Sequence, residues 1–161
     1  AGARAATEHL LSLGHTVIHL LAGPADSFAA AERERGWRGA LEDAGVVAPE
    51  PVRGDWTAAS GHAAMAGIVD EVTALFAAND QMALGALRAL AEAQRQVPEQ
   101  VAVVGFDDVD DAADYRPPLT TIRQDFDQLA ASAVTSLVTL IGGGAVEPVV
   151  LMPKLITRAS A

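Results

Sequence analysis

The 161 residues of this chain are enough for one domain with a real core, and no window approaches the roughly 18 continuous apolar residues of a membrane span. Cysteine is absent, which excludes disulfides, thiolate catalysis and cysteine-based zinc sites. A formal net charge of −10 argues against this segment binding DNA phosphates itself.

Predicted helices and strands alternate along the chain. Apolar periodicity and capping residues predict helices over 3–13, 28–44, 58–70, 80–93 and 125–141. Short apolar or β-branched runs predict strands over 16–21, 49–54, 72–77, 101–105, 119–122 and the end of 146–157. This alternation predicts an α/β fold, a doubly wound parallel sheet with helices on both faces.

The predicted helix over 80–93 is apolar around most of its circumference. Its only charged residues are Asp80, Arg88 and Glu92. One face can pack on the sheet, and the rest needs another cover. Two interpretations remain open for that cover: an interface with a second subunit, or a position deep within the same domain.

Polar side chains follow the predicted strands at the points where the strands end. Arg33 lies one or two turns into the helix after the first strand, and Trp56, Asn79 and Asp107 follow the next three. In an open parallel sheet, ligands bind beyond the carboxyl ends of the strands. A guanidinium fork, an amide and a carboxylate suit sugar hydroxyls, and an indole covers a sugar's C–H face. The pattern of side chains at this edge therefore predicts a sugar-binding site.

Each of these residues also has a simple structural explanation. Asn79 is placed to cap the helix that follows it, and Asp107 could cap a short turn. Arg33 could be one of three surface arginines on its helix, and Trp56 could belong to the core. The prediction of a site depends on their convergence at one edge.

The remaining polar clusters do not match catalytic or metal-binding motifs. The acidic run at positions 107, 108, 110, 111 and 114 lacks the glycine and closing glutamate of a calcium loop. The four histidines have no ligand spacing, and neither a nucleophile elbow nor a phosphate-binding loop occurs. We therefore predict no enzyme, no metal site and no cofactor.

Three segments are informative when taken together: FAANDQMALGA at 76–86, VVGFDD at 103–108 and PPLTTIRQDF at 117–126. In this order and at this spacing they resemble the effector-binding core of the lactose-repressor (LacI/GalR) family of bacterial transcription regulators. The resemblance implies a type I periplasmic-binding-protein-like core of two lobes. It places 14–122 and 147–158 in the C-terminal lobe, and the helices at 1–13 and 124–142 on the N-terminal lobe. The rest of that lobe and the DNA-binding headpiece would lie outside this sequence.

The resemblance also implies a function. This chain would be the sugar-sensing, dimerising part of a cytoplasmic regulator, and would control operator DNA binding allosterically. The residues that carry over to effector contacts are Arg33, Trp56, Asn79 and Asp107, with Gln124 near the crossover between lobes. Phe106 stands where the closest family pattern has Tyr.

The family pairs through this lobe, which implies a homodimer. The interface residues expected here are Met82, Leu84, Leu87, Tyr115 and Pro118. Two rival interpretations are a periplasmic sugar-binding protein of a transporter, which shares the fold, and a carbohydrate-processing enzyme.

Overall fold

The computed structural model describes residues 1–161 as six strands, five α-helices and one short 3-10 helix. The helices are α1 Gly2–Ser12, α2 Phe28–Asp43, α3 Ala58–Ala66, α4 Asp80–Glu92 and α5 Phe126–Ile141, with the 3-10 turn at Ala112–Asp114. The strands are β1 His19–Ala22, β2 Val52–Arg53, β3 Ala74–Ala77, β4 Ala102–Val104, β5 Thr121–Arg123 and β6 Lys154–Ile156. No helix has both the length and the apolar character needed to cross a bilayer.

Four strands form a parallel sheet in the order β2-β1-β3-β4, which confirms the predicted fold class. The chain moves outward from β1 to β2 and then returns to the other side of β1 for β3. This reversal opens a crevice at the carboxyl ends of β1 and β3. Beyond β4, the N–H of Gly105 donates to the carbonyl of Thr120, so the start of β5 runs alongside the sheet.

Both faces of the sheet are buried, which explains why its strands read as continuous apolar runs. Side chains alternate between two clusters along each strand. One cluster joins the sheet to α1 and α2 and includes Ala6, Leu10, Leu20, Trp37, Leu41, Phe76 and Val104. The other joins it to α3 and α4 and includes Leu21, Met65, Leu75, Met82, Leu90 and Val103.

The assignment of residues 1–13 to a second lobe was wrong. Ala3, Ala6 and Leu10 of α1 are buried in the same cluster as the sheet and α2. An ion pair of 2.6 Å between Arg4 and Asp43 also joins α1 to the end of α2. The apolar stripe of α1 therefore covers the sheet described here.

Helix α5 stands apart from this packing. None of its residues is buried, and Leu137, Val138 and Ile141 are 57%, 63% and 78% exposed. It is joined to the sheet domain through the antiparallel ribbon of β5 and β6. An exposed apolar stripe of this size is typical of a surface that another segment or subunit covers.

The predicted return of the chain at residue 147 begins too early. Val146, Pro148 and Leu151 line a groove against Leu129 and Ala133 of α5 instead of packing on the sheet domain. The chain rejoins the main domain only at β6 and the residues after it, where the carbonyl of Ser160 accepts the N–H of Val103. Residues 147–153 therefore lie beside α5 and not on the sheet domain.

Helix α4 is covered by the sheet on one side and by α3 on the other. Met82 is fully buried between them, so its assignment to a subunit interface was wrong. Leu87 is 5% exposed, and Leu84 keeps more of its surface accessible. The apolar surface of α4 is therefore covered mostly by its own domain, and only one edge of the helix remains for a second subunit.

The close packing of α3 on α4 depends on Gly85. A Cβ at this position would overlap the carbonyl oxygen of Ala58 and approach the backbone nitrogen of His62 at 2.6 Å. Backbone atoms cannot move aside without separating the helices, because the interior is already packed.

We expect Gly85→Ala to lower the free energy of unfolding by about 1–3 kcal/mol through overpacking. Urea denaturation of the variant and of the parent protein measures this difference. Gly67→Ala is the matched control, since a Cβ there meets only the Ala64 oxygen at 3.4 Å. Equal stability of the two variants would contradict this account of the α3–α4 contact.

Candidate functional site

The structure brings the predicted residues together at the carboxyl edge of the sheet, beside the reversal between β1 and β3. Arg33 enters from the second turn of α2, and Asn79 begins α4 directly after β3. Asp107 follows β4, and Gln124 follows β5. Trp56 lies between β2 and α3 and reaches the same edge.

Arg33 is at the centre of this group. Its guanidinium donates to Oδ1 of Asp107 at 3.0 Å and to the carbonyl oxygen of Ala78. The guanidinium carbon also lies 4.0 Å from the ring centroid of Phe106 and 5.4 Å from that of Trp56. Burial lowers the pKa of Arg33, and the Asp107 charge opposes that change. A guanidinium remains protonated at neutral pH, so the site presents an oriented cation.

Asp107 supplies the matching anion. Its Oδ1 accepts from Arg33 and, at 2.8 Å, from Nε2 of Gln124, while Oδ2 accepts no hydrogen bond from the protein. Burial raises the pKa of Asp107, and the Arg33 charge counters that rise. The side chains of Arg33 and Asp107 keep 15% and 21% of their surface exposed. A ligand can therefore reach both, and Oδ2 is available to accept from a hydroxyl.

Asn79 caps helix α4, as the structural explanation predicts, and it also contacts the loop that carries Trp56. Its Oδ1 accepts the N–H of Met82 at 2.8 Å, which caps α4. Its Nδ2 donates at 3.0 Å to the carbonyl of Trp56 and so holds the loop that carries the indole. One N–H of the amide has no partner within the protein, so it can still donate to a ligand.

Two residues at this edge were missed in the sequence. Phe106 forms an apolar wall under the Arg33 guanidinium. Gly23, directly after β1, leaves space for the indole, because a Cβ there would overlap the ring of Trp56. The position of Gly23 after a strand was the only sequence signal for it, and the aromatic residue before two aspartates was the signal for Phe106.

Asp80 lies just beneath the site and ties three segments together. It is fully buried and accepts from the Thr121 hydroxyl at 2.6 Å and from the Val109 N–H at 3.0 Å, while its own N–H donates to the Phe106 carbonyl. Burial raises the pKa of Asp80 to about 6, although the hydrogen bonds from Thr121 and Val109 favour the ionised form. Asp80 thus positions the loop that carries Asp107.

These groups can bind a hydroxyl-rich ring. A carboxylate oxygen, a guanidinium and an amide N–H stand beside two aromatic faces, which is the mixed polar and apolar lining typical of small-molecule sites. Together, the doubly wound sheet and the crevice at its carboxyl edge define a domain of the periplasmic-binding-protein type.

Comparison with known proteins agrees with this class. The chain belongs to the family described as periplasmic binding protein-like domain, whose profile matches residues 7–161. It is 43% identical over 160 residues to the lactose operon repressor of Escherichia coli (strain K12), a match covering 98% of this chain and 44% of that protein. The resemblance to the lactose-repressor family is therefore confirmed.

Solved structures give the same result. The Lac repressor dimer bound to operator and the anti-inducer ONPF superposes with a TM-score of 0.94 at 42% identity, over 99% of this chain and 57% of that one. A complex of the transcriptional regulator CelR with cellobiose has a TM-score of 0.94 at 42% identity, over 99% and 51% of the two chains. The chain spans about half the length of the curated relatives it matches.

The raised pKa of Asp80 predicts a pH-dependent stability. In the unfolded chain this carboxyl ionises near its ordinary pKa of 3.8, whereas the folded protein retains the proton up to about pH 6. The folded state therefore binds more protons between these values, and this contribution to stability is lost as pH rises through 6. The shift corresponds to about 3 kcal/mol.

We expect Asp80→Asn to remove this dependence, because the amide can still accept from Val109 and donate to the Thr121 oxygen without titrating. The stability of the parent protein relative to the variant should fall by about 2 kcal/mol between pH 4 and pH 7. Urea denaturation across that range measures the change, with Asp110→Asn, an exposed residue of the same loop, as control. Parallel curves for the parent protein and Asp80→Asn would contradict the assignment.

Proposed function

We propose that this chain is the effector-sensing, dimerising part of a bacterial transcription regulator of the lactose-repressor family, and that its effector is a sugar or a sugar-like molecule. The observation that carries this proposal is the cluster of Arg33, Asp107 and Gln124 against the rings of Trp56 and Phe106. The relatives that support it include repressors of the lactose and ribose operons and a regulator solved with cellobiose.

The chemistry of the site supports a polyol more than a charged ligand. The guanidinium and the carboxylate already neutralise each other at 3.0 Å, so a charged ligand would leave one of them without a counter-charge. A neutral hydroxyl pair can donate to Oδ2 of Asp107 and accept from Asn79 without disturbing that balance. We infer binding without turnover, and no cofactor.

The second wall of the site belongs to another lobe in this proposal. Residues 124–142 carry α5, whose exposed apolar side would cover a sheet outside this sequence. The sheet domain, including α1 and the residues from β6 onward, forms the C-terminal lobe. An effector held between the two lobes changes their relative orientation and thereby couples two distant sites.

Operator DNA would be bound in the cytoplasm by a segment other than this one. A net charge of −10 disfavours contact with phosphates, since DNA binding relies on basic side chains. The relatives reported above are transcription regulators, which favours a regulator over a transport protein of the periplasm. Binding of the full-length protein to an operator duplex is the decisive experiment.

Loss of the Asp107 carboxylate should weaken effector binding. We expect Asp107→Asn in the full-length protein to raise the Kd for the bound sugar by about 5- to 150-fold, or about 1–3 kcal/mol, because a hydroxyl loses its anionic acceptor. Calorimetric titration with lactose, galactose, cellobiose, glucose and ribose identifies the ligand and measures the change. Asp110→Asn is the control. Normal sugar affinity in Asp107→Asn would contradict the proposed site.

The proposed dimer interface is the α4 edge, defined by Leu84, Leu87, Arg88 and the segment from Asp111 to Pro118. Leu84 lines two surface cavities of about 500 and 540 Å³, one toward Tyr115 and one toward His62. Leu87 and Tyr115 contribute narrow exposed rims at 5% and 6%, and Pro118 is exposed. Arg88 and Arg116 stand beside Asp111 and Asp114, so two copies related by a two-fold axis can pair opposite charges.

A charge at Leu84 should therefore abolish pairing. We expect Leu84→Lys to sediment as a monomer at tens of micromolar, where the parent protein is a dimer, because the interface centre would bury an unpaired ammonium. Val47→Lys is the matched control, since Val47 is 86% exposed and lies outside the α4 edge. A Leu84→Lys dimer as stable as that of the parent would refute this interface.

A further inference from the structure

Two consecutive aspartates join the candidate site to the base of the β5–β6 ribbon. Asp107 and Asp108 both have positive φ angles, 114° and 57°. Asp107 bonds to Arg33 and Gln124 of the site, as described above. Asp108 bonds to two other arginines, with Oδ1 accepting from Arg158 at 2.7 Å and Oδ2 accepting from Arg123.

The two arginines belong to the two chain segments that lead to and from α5. Arg123 is the last residue of β5, and Arg158 follows β6. Arg158 also donates to the carbonyl of Leu119 at 2.7 Å, and its N–H donates to the Thr120 hydroxyl at 2.9 Å. The Asp108 side chain is only 4% exposed, so one buried carboxylate holds both segments where they leave the sheet domain.

We propose that Asp108 is a positioning residue that sets the direction of the β5–β6 ribbon, and so of α5, according to the occupancy of Asp107. This inference rests on the proposed function. It names the residue that would couple the sugar site to the operator-binding site. Charge-assisted bonds from a buried carboxylate to two guanidinium groups are short and directional. A single peptide unit separates Asp108 from the carboxylate that would contact the effector.

The backbone strengthens the connection. The N–H of Asp107 donates to the carbonyl of Ile122 at 2.8 Å, so the backbone of the aspartate pair is bonded directly to β5. Helix α5 has no buried residue in this chain, and the β5–β6 ribbon is what joins it to the sheet domain. A change in the peptide that links Asp107 and Asp108 therefore reaches α5 mainly through the bonds of Asp108 and this strand pairing.

The experiment measures the coupling between sugar binding and operator binding in the full-length protein. The coupling factor is the ratio of the sugar Kd with and without a saturating operator duplex, selected from random DNA by the wild-type protein. The sugar is the member of the panel above that binds the wild-type protein. Arg123→Gln is the principal variant, because the Arg123 side chain is 54% exposed and its removal leaves Asp108 paired with Arg158. Asp108→Asn removes the negative charge with which both Arg123 and Arg158 pair.

We expect Arg123→Gln to reduce the coupling factor at least threefold and Asp108→Asn at least tenfold, while the sugar Kd without DNA changes less than threefold. Arg35→Gln is the control and should keep the wild-type factor, since it removes only an exposed pair with Glu32 on α2. A residue that serves only as a structural anchor would lower the melting temperature without changing this ratio.

The outcomes separate this inference from the proposed function. Wild-type coupling in a folded Arg123→Gln, together with wild-type coupling in Asp108→Asn, overturns the role of Asp108 and leaves the proposed function standing. If Asp108→Asn fails to fold, an unchanged factor in Arg123→Gln overturns it alone. A wild-type protein with no coupling between sugar and operator overturns the proposed function, and the inference with it.

Discussion

The arrangement of this molecule depends on a parallel sheet that must be buried on both faces. Parallel strands require crossover connections, and helices on both sides supply the cover that apolar strands need. Every strand then ends at the same edge, so the loops after β1, β3 and β4 meet there. The reversal between β1 and β3 leaves a crevice at that edge, and the candidate site occupies it.

Within the site, the ion pair of Arg33 and Asp107 organises the other groups. Both side chains are largely withdrawn from water, and each would be costly to bury alone. Their pairing offsets this cost and at the same time orients a cation against two aromatic rings. Asp80 supports the pair from below by holding the loop after β4, and Gln124 connects it to the segment that leaves the domain. In the proposed function, the same few contacts serve folding, recognition and communication.

The contrast between α1 and α5 illustrates how far a sequence pattern can be interpreted. Both helices have an apolar stripe, and both were predicted to lie on another lobe. The stripe of α1 is buried against the sheet, whereas that of α5 remains exposed. Periodicity specifies which face of a helix is apolar but not which surface that face covers. Met82 was misplaced for the same reason, because both an internal contact and an interface demand an apolar residue on α4.

The sequence by itself determined the features that depend on local chemistry. Alternating apolar runs determined the βαβ pattern, and capping side chains at Ser27, Asn79 and Asp125 determined where three helices begin. Only the tertiary structure decided that Arg33 points into the site and not to solvent, that Gly23 makes room for the Trp56 ring, and that Asp107 and Asp108 bond in different directions. These outcomes depend on distances between segments far apart in the chain, and such distances are set by packing and not by local propensity.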